Sequence, residues 1–213
     1  MKPTVTIVDY GSGNLLSVQR AFEFCGATVV LAEDAATIER AEYLVLPGVG
    51  AFADGMQGLR DRRLIAPIQR FAATGRPLLG ICLGMQMLAT TSAEFGDHDG
   101  LNLIEGRVVP VHDRSASGEL LKIPNIGWYD LEPAAKGAWT GSLLDGLPDS
   151  AAVYLVHSYH VVPRQATHLL ATYVLGGRPV TASIRSGRII GCQFHPEKSG
   201  KIGLQILNGF LRM

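Results

Sequence analysis

One cysteine in this chain stands where a thiol can act as a nucleophile. Cys82 lies within Gly80-Ile81-Cys82-Leu83-Gly84, at the end of an apolar run at residues 78–82 and just before a helical pattern at residues 85–89. A sharp strand-to-helix turn lifts a nucleophile clear of the sheet, and flanking glycines give the backbone room to make it. The helix that starts there presents unpaired N–H groups and the positive end of its dipole, both of which favour a thiolate. A free thiol with a pKa of about 8.5 is otherwise mostly protonated at neutral pH. The plainer alternative is a small buried apolar side chain at the end of a core strand, the commoner fate of a lone cysteine.

A thiolate needs a histidine to take its proton and later protonate the leaving group, and the histidine needs an acceptor to fix its ring. His195-Pro196-Glu197 offers both. In an extended or turn segment residues two apart point the same way, and the proline stiffens the link between them. Taken singly, His195 could be a surface histidine and Glu197 a first-turn acid stabilised by a helix dipole. A metal site is the weaker reading, because His157-Ser158-Tyr159-His160 and His195-Pro196-Glu197 lack the His-Glu-x-x-His spacing and suggest no third ligand.

Acyl chemistry also needs donors for a tetrahedral oxyanion. Pro47-Gly48-Val49-Gly50 is a glycine-rich turn after the apolar run at residues 43–46. An amide near Val49 or Gly50, with the N–H of Leu83, would complete an oxyanion hole. An ordinary strand-ending turn is the alternative. Gln86 lies four residues after Cys82, so on a helix it shares the nucleophile's face and could hold polar groups of a substrate.

These residues need a scaffold. Short β-branched runs at residues 5–8, 29–31, 43–46 and 78–82 alternate with amphipathic stretches at residues 15–24 and 64–73. That order predicts βαβα units with a parallel sheet, and the continuously apolar strands predict helices on both faces. We expect a doubly wound three-layer α/β domain with the site at the carboxyl ends of its strands. Strand-like runs at residues 107–111, 152–156, 169–174, 180–185 and 188–193 predict an antiparallel or mixed extension of the same sheet, and residues 197–211 a closing helix.

The chain has 213 residues, 47% hydrophobic and 18% charged, enough apolar material for one core, so residues 1–213 are expected to form a single domain. Nineteen Lys and Arg balance nineteen Asp and Glu without long blocks of either sign, which argues against nucleic acid or an acidic membrane as partner. The apolar stretch at residues 4–8 is too short for an export signal, so a cytoplasmic location is expected. Cys25, Cys82 and Cys192 are far apart, with no Cys-x-x-Cys pair to suggest a metal or a disulfide framework.

Together the glycine-rich turn, the Gly-x-Cys-x-Gly elbow and the late His-Pro-Glu resemble the class I, triad-type glutamine amidotransferases. The resemblance implies Cys82, His195 and Glu197 as the triad, attack on the glutamine side-chain amide, release of ammonia, and hydrolysis of a thioester to glutamate. Within that family the chain is similar from end to end to the glutaminase subunits of imidazole glycerol phosphate synthases. Asp9-Tyr10-Gly11-Ser12-Gly13-Asn14-Leu15, Pro47 to Phe52, Gly80 to Met87, His157-Ser158-Tyr159 and Gln193 to Ser199 carry that likeness.

This branch implies that Gln86, Glu94, Ser158 and Tyr159 line a glutamine pocket, and that Asn14, Trp128, Tyr154 and Lys198 lie near a partner. The implied partner is a cyclase subunit resembling a (β/α)8 barrel, joined as a heterodimer. It would receive the ammonia and make imidazole glycerol phosphate and an aminoimidazole carboxamide ribonucleotide for histidine biosynthesis. No cofactor or metal is implied. One segment departs from the branch: it usually shows Pro-His-Met-Gly-Trp-Asn, and this chain has Pro124-Asn125-Ile126-Gly127-Trp128-Tyr129. A paralogue feeding another synthase, such as one that modifies sugars, would show that pattern. A cysteine peptidase or γ-glutamyl hydrolase shares the fold, and a catalytically silent docking module is a further alternative.

Overall fold

The structure is a computed structural model and describes residues 2–148 and 150–213. Among these, eight strands form the central sheet, in the spatial order Thr28–Ala32, Thr4–Val8, Tyr43–Gly48, Leu78–Cys82, Ile189–Cys192, Arg178–Ser186, Leu169–Leu175 and Glu132–Pro133. The first five run parallel. The other three attach by antiparallel pairing. Parallel neighbours need a crossover that returns the chain to the same end of the sheet, and helices supply it. Leu15–Phe24 and Ala35–Arg40 make the first two crossovers, and Phe52–Asp61 with Ile65–Ala73 the third.

Successive side chains of a strand face opposite sides, so strands covered on both faces feed two cores. Val5, Ile7, Val45, Leu79 and Ile81 pack on one side with Val18, Phe22, Ile206 and Phe210 from helices Leu15–Phe24 and Gly200–Phe210. Val8, Leu44, Leu46 and Leu78 pack on the other with Ile38, Phe52, Met56, Ile68 and Phe71. This is the expected doubly wound three-layer α/β arrangement, with a large mixed sheet between helices. No helix among the described residues is long and apolar enough to cross a membrane.

Two strands expected in that sheet lie elsewhere. Gly106–Pro110 pairs with Tyr159–Pro163 and Thr91–Ser92, and Ala152–His157 pairs with Asn125–Asp130, in two separate small sheets. The cause is visible in their burial: along Ala152–His157 only Val153, Leu155 and His157 are fully buried. A strand buried on one face lies over another layer. Val153 and Leu155 join the core under one face of the central sheet, Val108 and Val161 the core under the other. These ribbons lie against the antiparallel strands much as the helices cover the parallel ones.

The closing helix is also divided, into a 3-10 turn Pro196–Lys198 and the helix Gly200–Phe210. Ser199 stands at the break, where its hydroxyl donates to the His195 carbonyl at 2.7 Å and accepts the Tyr154 N–H at 3.0 Å. His195 N–H donates in turn to the Tyr154 carbonyl at 3.0 Å. The break therefore ties His195 to the Ala152–His157 strand.

Candidate active site

The strand Leu78–Cys82 ends and the helix Leu83–Met87 begins with no residue between them, two residues earlier than the helical pattern suggests. Cys82 makes the turn alone, at φ 54° and ψ −110°. A side chain in that region costs about 1–3 kcal/mol, so the surrounding packing must hold it there. Two glycines make this possible. A Cβ on Gly84 would lie 1.7 Å from the Leu46 carbonyl oxygen, and one on Gly80 would lie 2.8 Å from the Gly84 carbonyl. The elbow helix thus rests on bare backbone. Gly84→Ala must push the helix off its strand, and we expect a loss of at least about 3 kcal/mol in denaturant unfolding. A loss under about 1 kcal/mol would contradict this packing.

At the carboxyl ends of the parallel strands, above the elbow, lies a cavity of about 270 Å³. Cys82 and His195 line it, as do Val49, Gly50 and Leu83. So do Gln86, Glu94, Ser158 and Tyr159, which the resemblance placed around a substrate. His157, Pro124 and Val156 complete the wall without having been anticipated there.

Glu197 stands behind His195 rather than in the cavity. Its Oε1 meets His195 Nδ1 at 2.8 Å, and the two side chains are only 1% and 3% exposed. This leaves Nε2 of the ring for the cysteine sulfur. Burial opposes a charged imidazole here, but hydrogen bonds to Cys82 and Glu197, and the negative charge of both, outweigh it and hold the His195 pKa well above the ordinary value. The ring is therefore held charged at neutral pH, placed to favour ionisation of the neighbouring thiol and ready to act as an acid.

The other two thiols are placed differently. Burial pushes the Cys192 thiol up to about 12 and raises that of Cys25 as well. Cys192 sits wholly buried among Ile190 and Phe194. Both behave as apolar side chains rather than nucleophiles.

The turn after Tyr43–Gly48 is held from two sides. Gly50 takes φ +98°, and Ser12 donates its hydroxyl to the Val49 carbonyl at 3.0 Å. On the far side, Glu94 accepts the N–H of Phe52, the first residue of helix Phe52–Asp61, at 2.6 Å. One Glu94 oxygen is thus committed to the turn even though the side chain lines the cavity. Leu83, as the first residue of its helix, has an N–H with no partner inside that helix.

Sequence reasoning also passed over Gln193, whose side chain is fully buried and donates towards Cys82 Sγ at 3.8 Å. It stands two residues before His195, where the chain bends after the strand Ile189–Cys192, and that proximity was the available signal. Among the described residues no group of three or more His, Cys, Asp or Glu side chains is placed to hold a metal ion.

Asn14, Trp128, Tyr154 and Lys198 lie on or beside elements that touch one another. Trp128 is 57% exposed and meets the Tyr154 ring edge-on, with centroids 5.9 Å apart. Asn14 immediately precedes helix Leu15–Phe24, and the Pro196–Lys198 turn touches both that helix and the Tyr154 strand.

A sequence model of the family described as "Glutamine amidotransferase class-I" matches residues 6–212. The chain belongs to this family. It is 48% identical over 211 residues to "Imidazole glycerol phosphate synthase subunit HisH 1" of Legionella pneumophila strain Paris, covering 99% of both chains. It is 45% identical over 207 residues to the HisH subunit of Syntrophotalea carbinolica, covering 97% of this chain and 98% of the relative. In fold it resembles a solved structure of PurLQS from Thermotoga maritima, with a TM-score of 0.70 at 19% identity over all of this chain and 99% of that one. This glutamine amidotransferase therefore carries, on its family's fold, a buried cysteine and histidine at one cavity, with a buried glutamate behind the histidine.

Proposed function

We propose that this chain, residues 1–213 as one domain, is the cytoplasmic glutaminase subunit of an imidazole glycerol phosphate synthase, with Cys82, His195 and Glu197 as its triad. The observation that carries the chemistry is the meeting of Cys82, the His195–Glu197 pair and the Val49–Gly50 turn at one cavity. Full-length similarity to HisH subunits carries the assignment to that synthase.

The reaction follows from the groups present. Cys82 sulfur attacks the side-chain amide carbon of glutamine, and the C–S bond forms as the carbonyl electrons move to oxygen. The Leu83 N–H and an amide at Val49 or Gly50 stabilise that oxyanion. Collapse breaks the C–N bond, His195 gives its proton to the leaving nitrogen, and ammonia departs. His195 then takes a proton from water, the hydroxide attacks the thioester, and glutamate leaves as the thiolate returns. Glu197 keeps the ring oriented throughout. Gln86, Glu94, Ser158 and Tyr159 hold the glutamine.

Ammonia released into neutral water becomes ammonium, which is no nucleophile, so the acceptor site must receive it without mixing with solvent. A cyclase subunit docked over Asn14, Trp128, Tyr154 and Lys198 would meet that need as one half of a heterodimer. We expect the free chain to hydrolyse glutamine poorly and the docked, acceptor-bound complex to be about 100- to 1000-fold faster, the worth of one oxyanion donor. The lever is the peptide at Gly50, whose φ of +98° suits glycine. A Cβ at Gly50 would have nothing within 4 Å, so Gly50→Ala tests the backbone conformation without a clash. The assay compares the chain alone, with the cyclase, and with cyclase plus acceptor ligand. Turnover by the isolated chain at the rate of the liganded complex would end the gating idea, and absence of glutamine hydrolysis in every arm would end the glutaminase reading.

A further inference from the structure

Asn125 begins the Asn125–Asp130 strand, which also carries the exposed Ile126 and Trp128. Its own side chain is buried, 3% exposed, and makes two hydrogen bonds. Tyr129 hydroxyl donates to Oδ1 at 2.7 Å, and Nδ2 donates to the Tyr173 hydroxyl oxygen at 3.0 Å. Tyr173 hydroxyl lies 2.9 Å from His157 Nε2, and His157 Nδ1 lies 2.8 Å from the Tyr159 carbonyl oxygen. The same carbonyl accepts Gln86 Nε2 at 2.9 Å, Gln86 Nε2 also donates to Gln193 Oε1 at 3.1 Å, and Gln193 Nε2 reaches Cys82 Sγ.

The direction of this series follows from the carbonyl. A carbonyl oxygen can only accept, so His157 Nδ1 must carry a proton. Burial keeps this ring neutral by pulling its pKa down to about 4, against a smaller opposite pull from the Tyr159 carbonyl and with help from His160 and His195. A neutral ring with Nδ1–H has a bare Nε2, which must accept the single proton of the Tyr173 hydroxyl. Tyr173 oxygen is then free to accept from Asn125 Nδ2, and Oδ1 is left for Tyr129. No atom in the series can be reversed alone. Gln86 spends both N–H bonds on Tyr159 and Gln193, so Oε1 is the atom it can offer to a substrate.

We propose that Asn125 and Tyr173 are positioning residues of the glutamine pocket: they fix His157 as the Nδ1–H tautomer, and through the Tyr159 carbonyl they fix the orientation of Gln86. This rests on the glutaminase reading only for the identity of the ligand. The chemistry of other residues at position 125 follows from the same series. A neutral histidine has one N–H and one bare nitrogen, so it can serve Tyr173 and Tyr129 as asparagine does. An ionised aspartate of nearly the same shape cannot, because it only accepts. With Asn125→Asp both tyrosine hydroxyls donate to the carboxylate, Tyr173 has no proton for His157, and Nε2 must become protonated.

The test is nitrogen-15 NMR of the histidine rings in the full-length chain without ligand, followed by titration with glutamine. The wild type and Asn125→His should show a bare Nε2 on His157 at pH 7, and Asn125→Asp a protonated one. Glutamine binding should weaken about tenfold in Asn125→Asp, the scale of one hydrogen bond, and by a similar factor in Tyr173→Phe. A protonated Nε2 in the wild type would overturn the inference, whether or not any variant folds. An unchanged ring state in Asn125→Asp, or a protonated Nε2 in Asn125→His, would do the same. Absence of glutamine binding to the wild type would count against the proposed function instead, and the ring state would still decide this inference.

Discussion

Cys82→Ala is expected to lower glutamate release by a factor on the order of 10⁶, the scale seen when the nucleophile of a triad hydrolase is removed. The argument is structural before it is chemical. Cys82 is held at φ 54° where the strand becomes a helix, and its sulfur faces the cavity that His195 and the Val49–Gly50 turn also face. An alanine there keeps the same backbone and loses only the sulfur of a residue that is 8% exposed. Thermal unfolding should therefore change by no more than about 1 kcal/mol while activity vanishes. Activity within about tenfold of wild type would remove Cys82 from the reaction, and a variant that fails to fold would show that the sulfur serves the core.

His195→Ala and Glu197→Gln should separate two roles. The histidine moves both protons, so its loss should cost about as much as loss of the nucleophile, again on the order of 10⁶. Glu197 acts through the ring, holding Nδ1 at 2.8 Å. An amide in its place can present an N–H to Nδ1 and favour the wrong tautomer, an effect on the order of 10⁴ in a comparable triad. Glu197 is 1% exposed and its Oε2 has no partner among the described residues, so this carboxylate is poorly solvated and depends on the imidazolium it faces. Steady-state glutamate release at saturating glutamine, with the partner present, reads both variants. Equal losses would contradict the division of labour.

Local pattern carried much of the fold. The helix Leu15–Phe24 and the strand Leu78–Cys82 follow from the sequence to the residue, the helix from its amphipathic spacing and the strand from an unbroken apolar run that begins after Pro77. The helix Phe52–Asp61 did not stand out, since Gly55 and Gly58 dilute its pattern. Those glycines face Leu83, Met87 and the Tyr10 backbone at distances a Cβ would crowd, a tertiary reason no local window contains. Which sheet a strand joins was equally hidden. Gly106–Pro110 and Ala152–His157 read correctly as strands, but their partners at Tyr159–Pro163 and Asn125–Asp130 are matters of long-range pairing.

The site divides along the same line. Cys82 announces itself by its elbow, and His195 with Glu197 by their spacing, because each signal lies within a few residues. Ser12 on the Val49 carbonyl and Gln193 on Cys82 bridge 37 and 111 positions of sequence, and neither contact has a local signature. From sequence Asn125 raised only the question of which synthase is served. Its side chain instead turns inward to Tyr173 and His157, since alternate residues of that strand face opposite sides.

The most direct measurement is covalent labelling of the full-length chain with an electrophilic glutamine analogue, followed by peptide mapping of all three cysteines. Cys82 alone has a thiolate-favouring partner in His195, while burial keeps Cys25 and Cys192 protonated. The account predicts modification of Cys82, protection by glutamine, loss of labelling in His195→Ala, and no adduct on the other two. Labelling of Cys25 or Cys192 in preference to Cys82 would contradict it.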